Sequence, residues 1–270
     1  MKLFPLNECS ALWITESKFC ELSSSPENAD FIIFESEGDP FTEIKRVQKK
    51  FHANKLVFIL SGDIDYSDAQ SIWFASTIKP NNINKFQIYL TNPRMSMSSP
   101  EFGEKDIFAY FGGTIWNSEE RLFLKELPNN FLIEEIKGYW NLNPEDKIEV
   151  TKKSYLKMRR SVYTLCPKGK GSSSMRILEA MANGSIPVLI NDSSNPFYEN
   201  YGNLVLRVAN DHLLDMVNIV NNNKFETLDF LKCYEFYKKN VHNPFTSWSV
   251  CLGFHDKIVS RLQTIFNRSF

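Results

Sequence analysis

The sequence has no long hydrophobic run: no stretch of its 270 residues approaches the ~20 apolar residues of a membrane-spanning helix. The first residues, Met1 to Pro5, also lack the apolar core of a secretory signal peptide. We therefore expect a cytoplasmic protein without a transmembrane segment. Its expected place is the cytosol or a peripheral position at the inner face of the membrane.

The balanced charge and the few histidines and cysteines argue against nucleic-acid binding, metal binding and a disulfide-stabilised fold. The net charge of −1 argues against binding to nucleic acid through bulk electrostatics. The four histidines form no metal-ligand spacing. The cysteines are odd in number, scattered and without a CxxC pair, so we expect reduced thiols and no metal: Cys9, Cys20, Cys166, Cys233 and Cys251. With 43% hydrophobic residues and 22 phenylalanines, a substantial core is still available.

The first hundred residues alternate apolar runs with polar, helix-compatible segments. Such alternation is typical of a parallel sheet with crossover helices. Pro40 to Phe51 reads as a helix with a basic outer face. The predicted strands are Ala11 to Thr15, Phe31 to Glu35, Leu56 to Ser61, Ile72 to Ser76 and Phe86 to Thr91.

Residues Asn92 to Gly103 separate this half from a second one, because they are rich in proline and small polar residues and lack periodicity. The predicted domains are 1–98, 99–248 and a C-terminal helical segment, 249–270, that can pack back on the first domain. Predicted strands of the second half are Ile107 to Phe111, Phe131 to Ile136, Val162 to Leu165, Ser185 to Ile190 and Leu204 to Val208. Predicted helices are Glu119 to Leu127 after the N-cap Ser118, Lys152 to Arg160, Asp211 to Val220, Phe225 to Lys239 and Ser249 to Phe266.

The most informative stretch runs from Ser161 to Phe197. A strand is followed by the loop Lys168 to Gly171, whose glycines allow close approach of a ligand to the backbone. Ser172, Ser173 and Ser174 are candidate N-caps of a helix that ends at Asn183-Gly184. A strand, a glycine loop and a helix N-terminus together favour an anion site.

Arg176 and Glu179 lie three residues apart in the opening turns of that helix, so both can face one ligand. A guanidinium suits phosphate oxygens and a carboxylate suits ribose hydroxyls, which indicates nucleotide binding. The alternatives are an exposed ion pair between the two residues and a simple strand-to-helix turn.

This stretch resembles the exostosin-type glycosyltransferases (glycosyltransferase family 47), in a bacterial-like short form. The matching positions are Ser161, Leu165-Cys166-Pro167, Gly169, Arg176, Glu179-Ala180, Gly184, Ile186-Pro187-Val188, Asp192 and Pro196-Phe197. Shorter similarities are Ala29 to Phe34, Leu56 to Asp63, and Phe108 to Gly113 followed by Arg121.

The resemblance implies an α/β, GT-B-like fold in which two Rossmann-like domains face each other across a cleft. It implies an inverting, metal-independent glycosyltransferase that needs no cofactor. The enzyme would move a sugar from a nucleotide-sugar donor to a glycan or lipid-linked saccharide acceptor in surface polysaccharide synthesis. The alternatives are a fucosyltransferase-like GT-B enzyme and an inactive GT-B subunit that binds glycans or stabilises a complex.

On this interpretation Asp63, after the strand Leu56 to Leu60, is the predicted catalytic base. Its competitors are Glu35, Glu37, Asp39 and Asp65. Asp63-Ile-Asp65 also has the form of a metal-binding DxD, but in GT-B enzymes helix dipoles and basic residues stabilise the leaving phosphate, so we predict no metal.

On the donor side, Arg176, Ser172 to Ser174 and Lys168 are predicted to bind the phosphates and Glu179 the ribose. Gly112 and Gly113 would let the backbone approach the donor, and a tight turn is the alternative. Arg121 would reach the phosphates or lie on the surface. Trp116 is predicted to line the cleft.

Overall fold

The structure is a computed structural model that describes residues 1–36, 40–60, 67–68, 70–75, 84–87, 90–91, 97–100, 104–169, 174–190, 205–208, 227–240, 249–250 and 252–268. The chain forms two compact units. One contains Met1–Leu90 and Trp248–Phe270, and the other contains Thr91–Ser247.

The first unit is built on one parallel sheet. Its strands are β1 (Lys2–Pro5), β2 (Glu21–Leu22), β3 (Phe31–Ser36), β4 (Leu56–Leu60), β5 (Ile72–Ala75) and β6 (Lys85–Gln87), in the order β2-β1-β3-β4-β5-β6. Between the strands lie α1 (Glu8–Glu16), α2 (Phe41–Lys50) and a 3-10 helix, Ala53–Lys55.

The core of this unit lies between the sheet and α2. Side chains of a strand alternate between its two faces, so every second residue of β3, β4 and β5 faces the helix. The aromatic rings of Phe58 and Trp73 stack there with centroids 4.3 Å apart. The buried cluster consists of Ile32, Phe34, Ile44, Val47, Leu56, Phe58, Leu60, Trp73 and Ala75.

The strand predicted at Ala11 to Thr15 is wrong, because these residues belong to α1. The helix begins after Asn7, whose side chain accepts a hydrogen bond from the Ser10 amide at 3.2 Å. Asparagine is a favoured N-cap, and a short apolar run such as this one fits a helix as well as a strand. The N-cap therefore decided the conformation.

The second unit is also built on a parallel sheet. Its strands are β8 (Ile107–Gly113), β9 (Phe131–Glu135), β10 (Ser161–Pro167), β11 (Ile186–Ile190) and β12 (Leu206–Val208), in the order β12-β11-β10-β8-β9; the short β7 (Leu90–Thr91) precedes them. The helices are α3 (Pro144–Arg160), α4 (Arg176–Ala182) and α5 (Thr227–Asn240), with 3-10 helices at Ile115–Asn117, Glu119–Glu126 and Tyr139–Asn141. Helix α3 packs on β8 and β10, and α4 packs on β10 and β11.

Three predicted helix starts of this unit need correction. The segment predicted as a helix from Glu119 is a 3-10 helix, and the Ser118 hydroxyl does not cap it but donates to the carbonyl of Lys168 at 3.1 Å. Helix α3 begins eight residues before the predicted Lys152, because Asn143 caps it by accepting from the Asp146 amide at 2.8 Å. Helix α4 begins at Arg176 after Met175, so Ser174 is not its N-cap.

The chain then adds β13 (Ser249–Val250), which pairs with β7, and α6 (Leu252–Arg268). The predicted helix from Ser249 thus starts three residues later, at Leu252. Helix α6 packs within the first unit. The side-chain Nε2 of Gln263 donates to the Phe19 carbonyl at 3.1 Å, and the ring of Phe266 meets that of Phe31 edge to face.

The predicted α/β, GT-B-like class is confirmed in its two Rossmann-like units, each with a parallel sheet and crossover helices. The helix predicted at Asp211 to Val220 lies outside the described residues. In the part of the chain that the structure describes, no helix has the length and hydrophobicity needed to cross a bilayer.

Candidate active site

The candidate site lies at the carboxyl edge of the second sheet. Strands β8, β9 and β10 are parallel neighbours, so their carboxyl ends meet at one edge. These ends are Gly112-Gly113 on β8, Glu135 on β9, and Pro167 followed by Lys168-Gly169 on β10. Ligands of open α/β sheets bind outside this edge.

A side chain would clash at Gly112 and would have little room at Gly113. A Cβ on Gly112 would lie 2.0 Å from the Tyr110 hydroxyl oxygen, and one on Gly113 would lie 3.1 Å from Nη2 of Arg176. The two positions face opposite sides of the sheet, as alternation requires. The glycine at 113 therefore makes room for the guanidinium of Arg176.

Arg176, the first residue of α4, reaches across to the end of β8. Its Nη1 donates to the carbonyl of Gly112, and its guanidinium carbon lies 4.9 Å from the ring centroid of Phe111. No described residue accepts a hydrogen bond from Nε or Nη2. Arg176 is thus held in place through one nitrogen, and it keeps donors for an anion.

Arg121 is also at this edge, but backbone carbonyls surround its guanidinium. Its Nε donates to Lys168 and its Nη1 to Thr114, both at 2.8 Å, while Nη2 lies 3.5 Å from the Pro167 carbonyl oxygen. Arg121 therefore ties the segment after β8 to the loop after β10. Its predicted role as a phosphate ligand stays a prediction.

Glu179 lies behind the edge, one turn along α4 from Arg176. Its side chain is buried, with 4% of its surface exposed, and accepts a hydrogen bond from the Tyr155 hydroxyl at 3.2 Å. Tyr155 is a buried residue of α3. The structure thus separates the immediate surroundings of the two motif residues: Arg176 lies against β8 and Glu179 against α3.

Of the remaining predicted residues, some are described by the structure and some lie outside the described residues. Lys168 is half-buried beside Arg121. Ser174 is buried, and the carbonyl of Ser174 accepts a hydrogen bond from the backbone amide of Ile177 at 3.2 Å. Glu35 is a buried residue of β3 in the first unit, and Trp116 is 63% exposed, with the Lys125 ammonium 3.7 Å from its ring centroid. Asp63, Asp65, Glu37, Asp39, Ser172 and Ser173 lie outside the described residues.

A polar cluster that the sequence did not indicate lies on the α3 side of the sheet. The Tyr110 hydroxyl contacts Ser154 Oγ at 3.0 Å and donates to Glu134 Oε2 at 3.2 Å, and Lys157 forms an ion pair with Glu134. Burial raises the pKa of Tyr110 to about 12. The only signal in the sequence was the pair Glu134-Glu135 at the end of an apolar strand, where alternation puts one carboxylate on each face.

Comparisons with known proteins establish the class. The model of the Exostosin GT47 domain family matches residues 45–223, well over half of the chain. The chain therefore belongs to the exostosin family of glycosyltransferases, as the motif around Arg176 predicted.

A solved structure of an α1,3-fucosyltransferase with GDP has a similar backbone fold, with a TM-score of 0.47 and 12% sequence identity. The match covers 99% of this chain and 90% of that chain. No curated protein matched the sequence.

Proposed function

We propose that this glycosyltransferase transfers a sugar, with inversion, from a nucleotide-sugar donor to a glycan or lipid-linked saccharide acceptor in surface polysaccharide synthesis. The family supplies the reaction class. The observation that carries the donor proposal is the guanidinium of Arg176, fixed at the sheet edge by the Gly112 carbonyl with further donors directed to no described residue.

The chemistry requires stabilisation of the departing nucleoside diphosphate. As the bond to the anomeric carbon breaks, negative charge grows on the β-phosphate, and preorganised donors lower the barrier at that point. Arg176 can supply the N–H groups of two nitrogens, Nε and Nη2, and a full charge without first breaking a hydrogen bond. Lys168 and the amides of Ser172 to Ser174 would complete the phosphate site, and Glu179 would hold the ribose.

The other half of the reaction is removal of a proton from the acceptor hydroxyl. A carboxylate does this as general base while the hydroxyl oxygen attacks the anomeric carbon. Asp63, which follows the strand Leu56–Leu60 in the chain, is the proposed base. An Asp63→Asn variant that retains donor binding and loses transfer would support this assignment.

The donor proposal is tested first by a thermal-shift panel of UDP, GDP and their common sugar conjugates. A ligand at 100 times its dissociation constant adds ~2.7 kcal/mol of stability, which such an assay detects readily. The nucleotide that binds is then titrated into Arg176→Ala by calorimetry. Loss of one charge-assisted hydrogen bond should weaken binding by ~10- to 150-fold.

Arg160→Ala is the matched control, because Arg160 is an exposed arginine paired only with the exposed Asp106 among the described residues. It should bind like the wild type. Because Arg176 also holds Gly112, melting curves are needed for both variants. Normal affinity with a lowered melting temperature would make Arg176 a structural residue and remove the main support for the donor site.

Two further outcomes separate the alternatives. We expect sugar transfer to continue in the presence of EDTA. Loss of transfer in EDTA with recovery on addition of manganese would instead support the hypothesis that Asp63 and Asp65 bind a metal ion. Stabilisation by a nucleotide sugar without transfer to any acceptor would favour the inactive, binding subunit over the enzyme.

A further inference from the structure

Glu135, the last residue of β9, carries a carboxylate with one oxygen that accepts no hydrogen bond from the residues the structure describes. Its Oε1 is buried, and no described residue donates to it. Its Oε2 lies 3.8 Å from Nζ of Lys137, whose side chain is 79% exposed, so this contact holds the carboxylate only weakly. Buried polar atoms in proteins nearly always have partners, so an orphaned carboxylate oxygen requires an explanation.

The register of the sheet places Glu135 beside the candidate donor site. Glu135 is the partner of Gly113 across the β8–β9 pair, and paired residues project to the same face. On that face, the space in front of Gly113 is bordered by the guanidinium of Arg176. Since β8 lies between β9 and β10 in the sheet, Arg176 and Glu135 approach Gly113 from opposite sides.

The neighbouring carboxylate on the same strand shows the contrast. Glu134 faces the other side of the sheet, where Lys157 and the Tyr110 hydroxyl bind both of its oxygens. Glu135 has no equivalent partners among the described residues. Its carboxylate can therefore turn outward without breaking a hydrogen bond, since only the weak contact with Lys137 is given up.

We propose that Glu135 is a second donor-binding residue, which accepts a hydrogen bond from a hydroxyl of the same molecule whose anionic oxygen binds Arg176. Two groups of opposite charge flank Gly113, and each keeps unused hydrogen-bonding capacity. A molecule with a phosphate and a sugar hydroxyl a few bonds apart satisfies both, which is the chemistry of a nucleotide sugar. This inference rests on the proposed function, and the hydroxyl belongs to the ribose or to the transferred sugar.

The test compares Glu135→Ala with the matched control Glu134→Ala, by calorimetric titration of UDP, GDP, UDP-glucose, UDP-N-acetylglucosamine and GDP-mannose, beside melting curves. Glu135→Ala should melt no lower than wild type, because it removes an unsatisfied group, yet bind ~10- to 150-fold more weakly. Glu134→Ala should melt lower and bind normally. Glu135→Gln serves as a second variant if the alanine variant misfolds.

The pattern of loss identifies the hydroxyl. Equal weakening toward a diphosphate and its sugar conjugate supports a ribose contact, and weakening toward the conjugate alone supports a contact with the transferred sugar. If the wild type binds a probe and the dissociation constant of Glu135→Ala is within twofold of the wild-type value, this inference is overturned and the proposed function stands. A wild type that binds none of the probes would overturn both.

Discussion

Replacement of Arg121 by alanine separates a ligand role from a positioning role at the sheet edge. The change removes two hydrogen bonds of 2.8 Å to the carbonyls of Lys168 and Thr114, and a longer one to Pro167. It also removes a cation–π contact of 5.6 Å with the ring of Phe111. All of these interactions join the ends of β8 and β10.

These contacts set the free energy of unfolding that the Arg121→Ala variant should lose. A hydrogen bond from a charged donor contributes ~1.5–3 kcal/mol and an exposed cation–π contact ~0.5–1 kcal/mol. Arg121 is half-buried, so water replaces part of what is lost, and neighbouring contacts are not additive. We expect a loss of about 2–4 kcal/mol in the free energy of unfolding, which in a unit of this size lowers the melting temperature by roughly 5–15 °C.

Urea unfolding followed by circular dichroism measures this loss, and Arg160→Ala is again the exposed control. Nucleotide titration at a temperature where both variants are folded completes the assay. Arg121→Lys, which retains the charge but not the three-way geometry, should recover only part of the stability. An unchanged free energy of unfolding with a 10- to 150-fold loss of nucleotide affinity would refute the positioning argument and make Arg121 a phosphate ligand.

Two further predictions concern the buried tyrosines and one the buried thiols. Tyr155→Phe removes the hydroxyl that donates a hydrogen bond to the buried, charged Glu179 side chain, so urea unfolding should show a loss of ~1–3 kcal/mol in the free energy of unfolding; an unchanged value would contradict the importance of this contact. Because burial raises the pKa of Tyr110 to about 12, the fold holds its neutral form; stability is fully present below the ordinary pKa of 10.0 and should fall as pH rises toward 12, with Tyr110→Phe showing a smaller fall. Burial also raises the pKa of the Cys166 and Cys233 thiols, so a thiol reagent should modify the half-buried Cys20 faster than either of these two, and equal rates for the three would contradict the described burial.

The sequence predicted the parallel sheets well, because a strand buried on both faces reads as an unbroken apolar run. Leu56 to Leu60 and Ile186 to Ile190 are such runs, and both are strands. The position of Arg176 at a strand-to-helix junction followed from the glycines and serines before it. The family followed from the same motif.

What the sequence could not predict depends on register and on long-range contacts. Nothing in the order of residues shows that Glu135 pairs with Gly113, since a shift of one residue would exchange the faces of Glu134 and Glu135. The carbonyls that surround Arg121 come from segments on either side of it in the chain, and only the fold brings them together. Helix α1 was predicted as a strand over Ala11 to Thr15, because the nine residues of the helix are too few to show a clear helical period.

The parallel order of the second sheet also has a consequence during protein synthesis. Strand β8 is made early, yet it lies between two strands that are made later, and Lys105 just before it donates to the carbonyl of Gly184, 79 residues further along the chain. Pairings of this range close slowly, and an unpaired apolar strand edge favours aggregation in the meantime. A nascent chain that stops before Ser161 therefore exposes the edge of Phe108 to Phe111, and we expect ribosome-bound chains of that length to depend on chaperones more than the full-length protein does.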